Sequence, residues 1–362
     1  MNKSANFAEN TKGERNMKYK RKEIDRAGDA LIGEDPFKRQ QAVEIVTNWR
    51  QLHLPVLREL NDELTEHFVA NGIEFEFSSH RIKRMQSIVD KLKNKEKMGL
   101  GGVHDIGGIR FVFVDLDKLG LAESSLLSFQ PKNFVRKDKV RDYIEKPKPD
   151  GYRSIHYVYK YVSDNPDYNG LQIELQIRTK LQHSWAMAVE TASLITGTSL
   201  KASIQDGSIW REFFKLVSAV FSKKEGKPVL EEYAFYTDEQ ICGEYFMYAD
   251  KHKLVDTLKA LRVAAGYEQH QRTGDCYCLL IVNFVSRRVG FRYFETAEDA
   301  RASEYFTKME QTITSDEAAL MVSMEKIEEM QKAYPSYFLD TGKFIEVLDE
   351  FEKFCELNYP RR

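Results

Sequence analysis

The sequence has few cysteines and no long apolar run, and both shortages exclude classes of protein. Four cysteines among 362 residues are too few and too scattered for the disulfide framework of a small secreted domain. No stretch approaches the ~20 consecutive apolar residues of a membrane-spanning helix. The first residues also lack the apolar core of a signal peptide. We therefore expect a cytoplasmic protein that does not associate with membranes.

Charge of one sign and metal-binding clusters are also scarce. The chain holds 54 lysines and arginines against 56 aspartates and glutamates, a net charge of −2. This balance gives no global attraction to nucleic acid, so such binding would need a local basic patch. Cys276 and Cys278 have no second Cys/His pair nearby, although His270 could supply one zinc ligand. We therefore favour the interpretation that these two cysteines lie in one strand and do not bind zinc.

Composition and periodicity divide the chain into three segments. Residues 1–36 are polar and mixed in charge. Residues 37–224 have helical periodicity at both ends and several alternating strands in the middle, which predicts a mixed α/β domain. A break is expected near Pro55 in the first long helix. Pro228 marks a linker, and residues 225–362 then form a smaller unit of helices and a strand pair.

The stretch "LQIELQIRTK", residues 171–180, has the strict alternation of a β-strand. Its apolar side chains are expected to face a core. An acid, an amide and a guanidinium line the opposite face, namely Glu174, Gln176 and Arg178. A solvated sheet face and the wall of an active site both explain this pattern, and the strand alone does not choose between them.

A second acid precedes another predicted strand. Asp105 is followed by Gly107 and Gly108, which let a phosphate group approach the backbone. Two carboxylates on adjacent strands are a usual way to hold Mg²⁺ against substrate phosphates, because this ion prefers oxygen ligands. The surrounding basic residues are Arg81, Lys83, Arg110, Lys146, Lys148, Arg153 and Arg178. This pattern favours phosphoryl or nucleotidyl transfer over acid/base hydrolysis, although the sequence has no P-loop and no GxGxxG.

Three stretches in order, "HDIGGIRFVF", "KPKPDGYRSIHYVY" and "IELQIRTKLQHSWA", resemble the consecutive motifs of the RelA/SpoT synthetase domain. The resemblance covers roughly residues 40–215 and implies a nucleotidyltransferase-like α/β fold with a mixed sheet. It also implies transfer of the β,γ-pyrophosphate of ATP to a ribose 3′-hydroxyl, with Mg²⁺ as cofactor. No HD-type hydrolase motif precedes these stretches, so a synthetase-only protein is expected.

The resemblance implies a role for each motif residue. Asp105 and Glu174 would hold Mg²⁺, and Glu174 is also the candidate base for the attacking hydroxyl. The residues expected at the ATP site are Arg81, Lys83, Ser87 and Arg110, with Arg81 stacked on the adenine. The residues expected at the acceptor site are Lys148, Tyr152, His156, Gln176 and Arg178, with Tyr152 stacked on the base. The alternatives are an ordinary loop aromatic for Tyr152 and a satisfied strand residue for His156.

The pyrophosphate acceptor divides this family. The sequence is most similar to the branch that modifies the 3′-CCA end of tRNA and blocks translation. A tRNA acceptor would need a basic patch outside the nucleotide pocket, and the alternative for such a patch is a solvated loop. The densest candidates are Lys132, Arg136, Lys137, Lys139 and Arg141. The alternative functions are a (p)ppGpp or (p)ppApp synthetase and a catalytically inactive nucleotide-sensing module.

Residues 225–362 resemble the C-terminal domain of fused toxin–antitoxin synthetases in phage defence. The resemblance implies a small α+β pseudo-zinc-finger fold without zinc, and control of the toxin in cis. Tyr334 and Tyr337 would cap the adenine site until a phage structural protein binds this segment. The alternative is that both tyrosines belong to an aromatic helix face in a local core.

Overall fold

The computed structural model of the protein describes most of the chain up to residue 251 and parts of the remainder. The described residues are 19–94, 99–196, 209–251, 254–255, 258, 266–267, 276–283, 288–295, 317–324 and 341–360. Tyr334 and Tyr337 therefore lie outside the described residues.

Helices and strands are interspersed along the chain, as in a mixed α/β protein. The helices are α1 (Arg21–Ile32), α2 (Pro36–Ala70), α3 (Met85–Lys93), α4 (Leu116–Leu126), α5 (Lys180–Thr196), α6 (Ile209–Lys224), α7 (Asp238–Phe246) and α8 (Gly342–Asn358). The strands are β1 (Phe77–Ile82), β2 (Gly107–Phe113), β3 (Phe134–Arg136), β4 (Arg141–Asp142), β5 (Ile155–Tyr161), β6 (Gln172–Thr179), β7 (Gly266–Tyr267), β8 (Cys276–Asn283), β9 (Arg288–Glu295) and β10 (Glu317–Met324). The predicted mixed α/β class is confirmed.

The long helix α2 begins at a well-formed cap. The Asp35 side chain accepts hydrogen bonds from the backbone of Phe37 and Lys38, and a proline occupies the first helical position. The predicted break near Pro55 is wrong, because α2 continues through this residue. Burial of Leu57 and its apolar neighbours against the sheet offsets the hydrogen bond that the proline removes. Neither α2 nor any other helix in the described residues is long and apolar enough to cross a membrane.

The strands form one ten-stranded mixed sheet. Its order is β3-β5-β6-β2-β1-β10-β8-β9-β7, with β4 paired to β5. The central neighbours β2 and β6 are parallel, whereas β1 and β5 pair antiparallel with them on either side. The register sets Gly108 beside Glu174 and Arg110 beside Gln176. This pairing brings the two predicted motif strands into direct contact.

One face of the sheet carries the main core. Ile173, Leu175 and Ile177 of β6 are fully buried there, together with side chains from α2 and α4 such as Leu60 and Leu119. Successive side chains of a strand point to opposite faces. The polar residues of β6 therefore lie on the face away from this core, as the alternation predicted.

A second core joins α5 and α6 to α7 and α8. Phe214 and Phe221 of α6 pack against Phe344 of α8, with ring centroids 5.8 and 5.6 Å apart. Residues on both sides of the predicted division at 224/225 thus share one apolar cluster. The sheet also crosses this division, because β10 pairs with β1 at Arg81 and Val322. A separate C-terminal domain stays a prediction.

Two of the four cysteines form a disulfide. Cys242 of α7 and Cys355 of α8 are buried and joined, with their Cα atoms 5.5 Å apart. The sequence interpretation missed this pair, because two cysteines 113 residues apart give no local signal. Cys276 and Cys278 both lie in β8, as predicted. In the part of the chain that the structure describes, no group of three or more His, Cys, Asp or Glu side chains could hold a metal ion.

Candidate active site

A cleft opens on the polar face of the sheet, above β1, β2 and β6. Its lining residues are Ser79, Arg81, Lys83, Asp105, Gly108, Ile109, Arg110 and Gln176. Most of the residues predicted for the ATP site therefore line one cleft. Ser87, by contrast, is half-buried on α3 and is not among the lining residues.

The two glycines after Asp105 have different surroundings. A Cβ atom on Gly107 would approach the side chains of Ile173 and Leu57 to 2.9 and 3.0 Å, so this position lets α2 pack against the sheet. A Cβ on Gly108 would meet only the Glu174 carbonyl oxygen, at 3.9 Å, among the described atoms. The expectation that both glycines admit a phosphate is wrong for Gly107, and only Gly108 lines the cleft.

Asp105 is held between two lysines. Lys83 Nζ lies 3.0 Å from one carboxylate oxygen and Lys91 Nζ lies 2.7 Å from the other. Burial would raise the pKa of this carboxyl, but the two ammonium groups outweigh burial and hold the pKa well below its usual range. Asp105 is therefore a carboxylate at neutral pH. Lys91 was not predicted at the site.

Glu174 is the second carboxylate of the site and lies beside the cleft lining, with only 6% of its surface exposed. Its oxygens lie 3.2 Å from His156 Nδ1 and 3.8 Å from Arg141 Nη1, and Gln176 Nε2 donates to it at 2.9 Å. Burial raises the pKa of Glu174, yet the contact with His156 outweighs burial and lowers it to about 2. Glu174 is thus anionic across the physiological pH range.

These two carboxylates fit a magnesium ion. Asp105 lines the cleft shortly before Gly108, and Gly108 is the register partner of Glu174 on the neighbouring strand. Mg²⁺ is usually bound by one or two carboxylates and keeps several waters and substrate phosphates as its other ligands.

The predicted acceptor residues form a connected group beside Glu174. The hydroxyl of Tyr152 lies 3.0 Å from His156 Nε2, whose ring reaches Glu174 through Nδ1. Lys148 Nζ lies 4.5 Å from the ring centres of both Tyr143 and Tyr152, a cation–π arrangement. Burial raises the pKa of Tyr152, but the charge of His156 leads several neighbours in lowering it to about 7. Lys148 thus covers one face of the Tyr152 ring, which is the ring predicted to stack on the acceptor base.

Arg178 and Arg81 have partners from α5. Arg178 is 1% exposed and contacts His183 through Nη2, whereas its Nε finds no hydrogen-bond partner among the described residues. Burial and the charge of Arg110 lower the pKa of Arg178 to about 9. Arg81 Nη1 lies 3.7 Å from Glu190. Arg178 is not among the lining residues of the cleft, whereas Arg81 and Arg110 are, and their two guanidinium groups suit a polyanionic substrate.

The structure separates the residues of the predicted tRNA patch. Lys132 and Lys139 are exposed, as a patch requires. Arg136 instead turns to the opposite side, where it donates to the Leu126 carbonyl and lies over the Tyr157 ring. Lys137 contacts the side chain of Gln172, and Arg141 Nη1 lies 3.8 Å from Glu174. The five residues therefore do not form one continuous surface.

Helix α6 supports the loop that carries Gly151 and the predicted acceptor residue Tyr152. The sequence interpretation did not anticipate this contact. Ser218 donates a 2.7 Å hydrogen bond to the Gly151 carbonyl, and Arg153 Nε donates to Ser218 at 3.3 Å. Glu225, just after α6, accepts hydrogen bonds from Thr179 at the end of β6 and from Gln182 in the first turn of α5. Arg153 is thus a structural residue and not one of the basic residues that line the cleft. The sequence did contain one signal for this contact, namely two polar residues four positions apart in an otherwise apolar helix, Ser218 and Ser222.

Gly151→Ala should weaken both folding and acceptor binding. Gly151 has a φ of 90°, and an added Cβ would come within 2.8 Å of Ser218 Cβ and 3.1 Å of the Trp185 ring. We expect a loss of about 1–2 kcal/mol in the free energy of unfolding from the backbone alone. The displaced Tyr152 should also raise the acceptor KM. Urea unfolding and initial rates measure the two effects.

Gly120→Ala is the matched control for this change. No described atom lies within 4 Å of a Cβ at Gly120, which is inside α4. This variant should gain up to about 1 kcal/mol of stability from helix propensity and keep the acceptor KM. Equal stability and an equal acceptor KM of the two variants would contradict the role given to Gly151.

Comparison with known proteins finds similarity between part of this chain and a known family profile. Residues 80–194 match the profile "Region found in RelA / SpoT proteins". The chain is 32% identical over 119 residues to the GTP pyrophosphokinase YwaC of Bacillus subtilis, covering 31% of this chain and 54% of that protein. It is also 32% identical over 114 residues to the GTP pyrophosphokinase YjbM of the same organism, covering 31% of this chain and 53% of that protein. The predicted RelA/SpoT region is confirmed.

These matches are partial. The chain spans about half the length of the two Bacillus relatives and 16% of the probable GTP diphosphokinase RSH3 of rice, to which it is 32% identical over 122 residues, 34% of this chain. The solved structure of small alarmone synthetase 1 from Bacillus subtilis bound to pppGpp aligns with a TM-score of 0.41 and 23% identity, over 49% of this chain and 93% of that chain. The toxic branch stays a prediction.

Proposed function

We propose that the protein transfers the β,γ-pyrophosphate of ATP to a ribose 3′-hydroxyl. The observation that carries this proposal is a pair of anionic carboxylates, Asp105 and Glu174. Asp105 lines the cleft together with Arg81, Lys83 and Arg110, and Glu174 lies beside this lining, where it accepts a hydrogen bond from Gln176. Two acids among several bases suit a metal ion and a polyphosphate rather than hydrolysis by acid and base. The names of the relatives, GTP pyrophosphokinases, support the same reaction class.

Each cleft residue has a task in this reaction. Bound Mg²⁺, held by Asp105 and Glu174, would neutralise phosphate charge as it develops. Lys83 and Arg110 bind the phosphates of ATP, and Arg81 is the candidate platform for adenine. Because Lys83 pairs with Asp105 in the present structure, ATP binding must redistribute this ion pair.

Glu174 is a better metal ligand than base in the structure as it stands. A general base works best when its pKa lies near the operating pH, and a pKa of about 2 is far below that. The contact with His156 is the largest cause that lowers this pKa. An acceptor that draws His156 away would restore basicity to Glu174, so the base role depends on the occupied acceptor site.

The favoured acceptor is the 3′-CCA end of tRNA. The exposed Lys132 and Lys139 support this choice, since they are free to meet phosphates outside the cleft. GDP or GTP is the rival acceptor, favoured by the names of the curated relatives. An adenine nucleotide is a further possible acceptor. The alternative to an enzyme is an inactive nucleotide-sensing module. The two ionised carboxylates argue against the inactive module.

We also propose that the C-terminal segment restrains the enzyme, and that a phage structural protein releases it. The pairing of β10 with β1 supports this proposal, since Arg81 of the cleft is the residue of β1 opposite Val322. A strand from the third segment thus borders the ATP side of the cleft. A pseudo-zinc-finger fold of this segment and its Tyr334/Tyr337 cap are parts of the same proposal.

Transfer of label from γ-³²P-ATP tests the acceptor. The full-length protein is incubated with tRNA, GDP, GTP or AMP in parallel, and each acceptor is scored for radioactivity. We expect label on tRNA, and a fall of roughly a decade or more in rate between 50 and 200 mM salt if several phosphates are bound. A Lys132→Glu/Lys139→Glu variant should lose tRNA labelling only.

The competing outcomes are distinct. Label on GDP or GTP alone would replace the tRNA proposal while keeping the reaction. No label on any acceptor from a folded protein would refute the reaction itself. Unchanged tRNA labelling by the charge-reversed variant would remove these lysines from the interface.

A further inference from the structure

The disulfide joins two helices that lie far apart in the sequence. Cys242 of α7 and Cys355 in the last turn of α8 are 113 residues apart, and their Cα atoms lie 5.5 Å from each other. Both side chains are almost fully buried, with 1% and 0% of their surface exposed. The bond therefore closes a loop of the chain that contains the strands β7, β8, β9 and β10.

Helix α8 has further contacts that place it against the catalytic segment. The Phe344 ring packs between Phe214 and Phe221 of α6. Lys224 Nζ, at the end of α6, lies 2.5 Å from a carboxylate oxygen of Glu350. These contacts hold the first half of α8, whereas the disulfide holds its last turn. The helix is thus docked along its whole length.

Helix α6 connects the docked α8 to the loop that carries Gly151. Ser218 of α6 donates a 2.7 Å hydrogen bond to the Gly151 carbonyl. Glu225, just after α6, accepts a hydrogen bond from Thr179 at the end of β6. If α8 leaves its place, α6 loses the apolar side chains that cover it, and these two hydrogen bonds lose their support. A change in the docking of α8 is therefore expected to reach the Gly151 loop.

The burial of both sulfur atoms links the chemistry of this bond to the position of α8. In thiol–disulfide exchange a thiolate attacks a disulfide sulfur directly, so the reagent must reach that sulfur. Neither cysteine is accessible while α8 is docked. A bond between them also requires Cα atoms within about 7 Å, which only the docked helix provides. Reagents can therefore reach the pair only when α8 opens, and the bond is completed only when α8 closes.

We propose that Cys242 and Cys355 form a redox-sensitive latch that holds α8 on α6 and α7 and, through α6, steadies the Gly151 loop. The oxidant is a low-molecular-weight disulfide, represented by oxidised glutathione. While α8 is open, the thiolate of one cysteine attacks this disulfide, which gives a mixed disulfide and releases one glutathione. When α8 closes, the second cysteine attacks the protein sulfur of the mixed disulfide, and the second glutathione leaves. Two protein thiols thus lose two electrons and two protons, and one glutathione disulfide gains them.

The rate of reduction tests whether opening of α8 controls access to the bond. The full-length protein is oxidised with glutathione disulfide and treated with dithiothreitol, and the new thiols are alkylated and assigned by mass spectrometry. Reduction should be at least roughly 100-fold slower in the folded protein than in the same protein in urea. Phe344→Ala removes the ring between α8 and α6, so it should speed reduction of the folded protein roughly ten-fold or more. Phe37→Ala is the matched control, because Phe37 is exposed at the start of α2, and it should leave the rate unchanged.

Hydrogen exchange tests whether the bond in turn controls α8, and it needs no substitution. Oxidised and reduced samples of the unaltered protein are compared by mass spectrometry. In the reduced sample the amides of α8 and of residues 143–154 should exchange at least roughly ten-fold faster, whereas those of α4 should not change. Cys276→Ser/Cys278→Ser removes the other two cysteines and should show the same difference. Cys355→Ser should exchange like the reduced sample under both conditions.

Each part of the latch has a result that would overturn it. The first is the absence of a Cys242–Cys355 bond after incubation with glutathione disulfide. The second is reduction of the folded protein as fast as in urea, or at a rate that Phe344→Ala leaves unchanged. The third is equal exchange of α8 in the oxidised and reduced samples. Faster exchange of α8 with no change in residues 143–154 would refute the connection to the Gly151 loop. None of these measurements depends on the proposed transfer reaction.

Discussion

Replacing Glu174 by glutamine should lower the rate of pyrophosphate transfer by about two to four orders of magnitude. Glutamine has the same size and keeps a carbonyl oxygen, but it carries no charge for Mg²⁺ and cannot accept a proton. Both tasks proposed for Glu174 are therefore removed with little change in packing. Transfer from γ-³²P-ATP to the preferred acceptor measures the rate, and circular dichroism checks the fold.

The same variant has a second expected signature, in the pH dependence of stability. The pKa of Glu174 is lowered from 4.5 to about 2 in the folded protein. A group with a lowered pKa stabilises the fold above its unfolded value and loses this contribution as pH falls through the folded value. Between about pH 5 and pH 2 the unaltered protein should thus lose stability that Glu174→Gln does not lose. Urea unfolding at several pH values measures the difference.

Asp105→Asn is the companion variant, and Gln176→Ala is the comparison. Asparagine at position 105 should also reduce transfer by orders of magnitude, because it leaves Lys83 and Lys91 without their shared carboxylate and Mg²⁺ without a ligand. Gln176 also lines the cleft, but its side chain is neutral and donates a hydrogen bond to Glu174, so its loss should cost much less than the loss of either carboxylate. Near-normal transfer by Glu174→Gln or Asp105→Asn would refute the assigned site.

The arrangement around Glu174 shows which parts of a site a sequence can predict. The alternation in "LQIELQIRTK" predicted one apolar and one polar face, and the structure confirms both, since Ile173, Leu175 and Ile177 lie in the core. Local periodicity suffices for this because the backbone alone fixes which side chains share a face. It does not say which residues meet across strands.

Positions 136, 137 and 141 show the limit. In sequence these residues form one basic run. The prediction of a single tRNA-binding patch rested on the number of basic residues in this run. Strand β3 ends at Arg136, so adjacent side chains take opposite sides, and Arg136 reaches the Tyr157 ring while Lys137 reaches Gln172. Charge density along a chain therefore predicts binding only when the faces are known. The same applies to Lys91 and Ser218, whose partners are distant in sequence.

Phe344→Ala should cost about 3–5 kcal/mol of the free energy of unfolding. Phe344 is 1% exposed and lies on α8, where its ring packs between Phe214 and Phe221 of α6. Removing the ring leaves a cavity at the junction between the catalytic segment and the chain end. Phe354→Ala is the control on the same helix, because Phe354 is 42% exposed and its loss should change stability by less than about 1 kcal/mol. Denaturant unfolding of both variants measures the difference.

This result bears directly on how control by the C-terminal segment can be tested. If α8 stabilises α5 and α6 as expected, deletion of residues 225–362 exposes their shared core, and loss of activity would report unfolding. A substitution such as Tyr337→Ala, which keeps the whole chain, is then the sound test of restraint, and increased growth toxicity without phage is its expected result. If Phe344→Ala had the same free energy of unfolding as the unaltered protein, the core shared by α6 and α8 would contribute little to stability. Residues 37–224 would then stand as an independent unit, and the deletion would be informative after all.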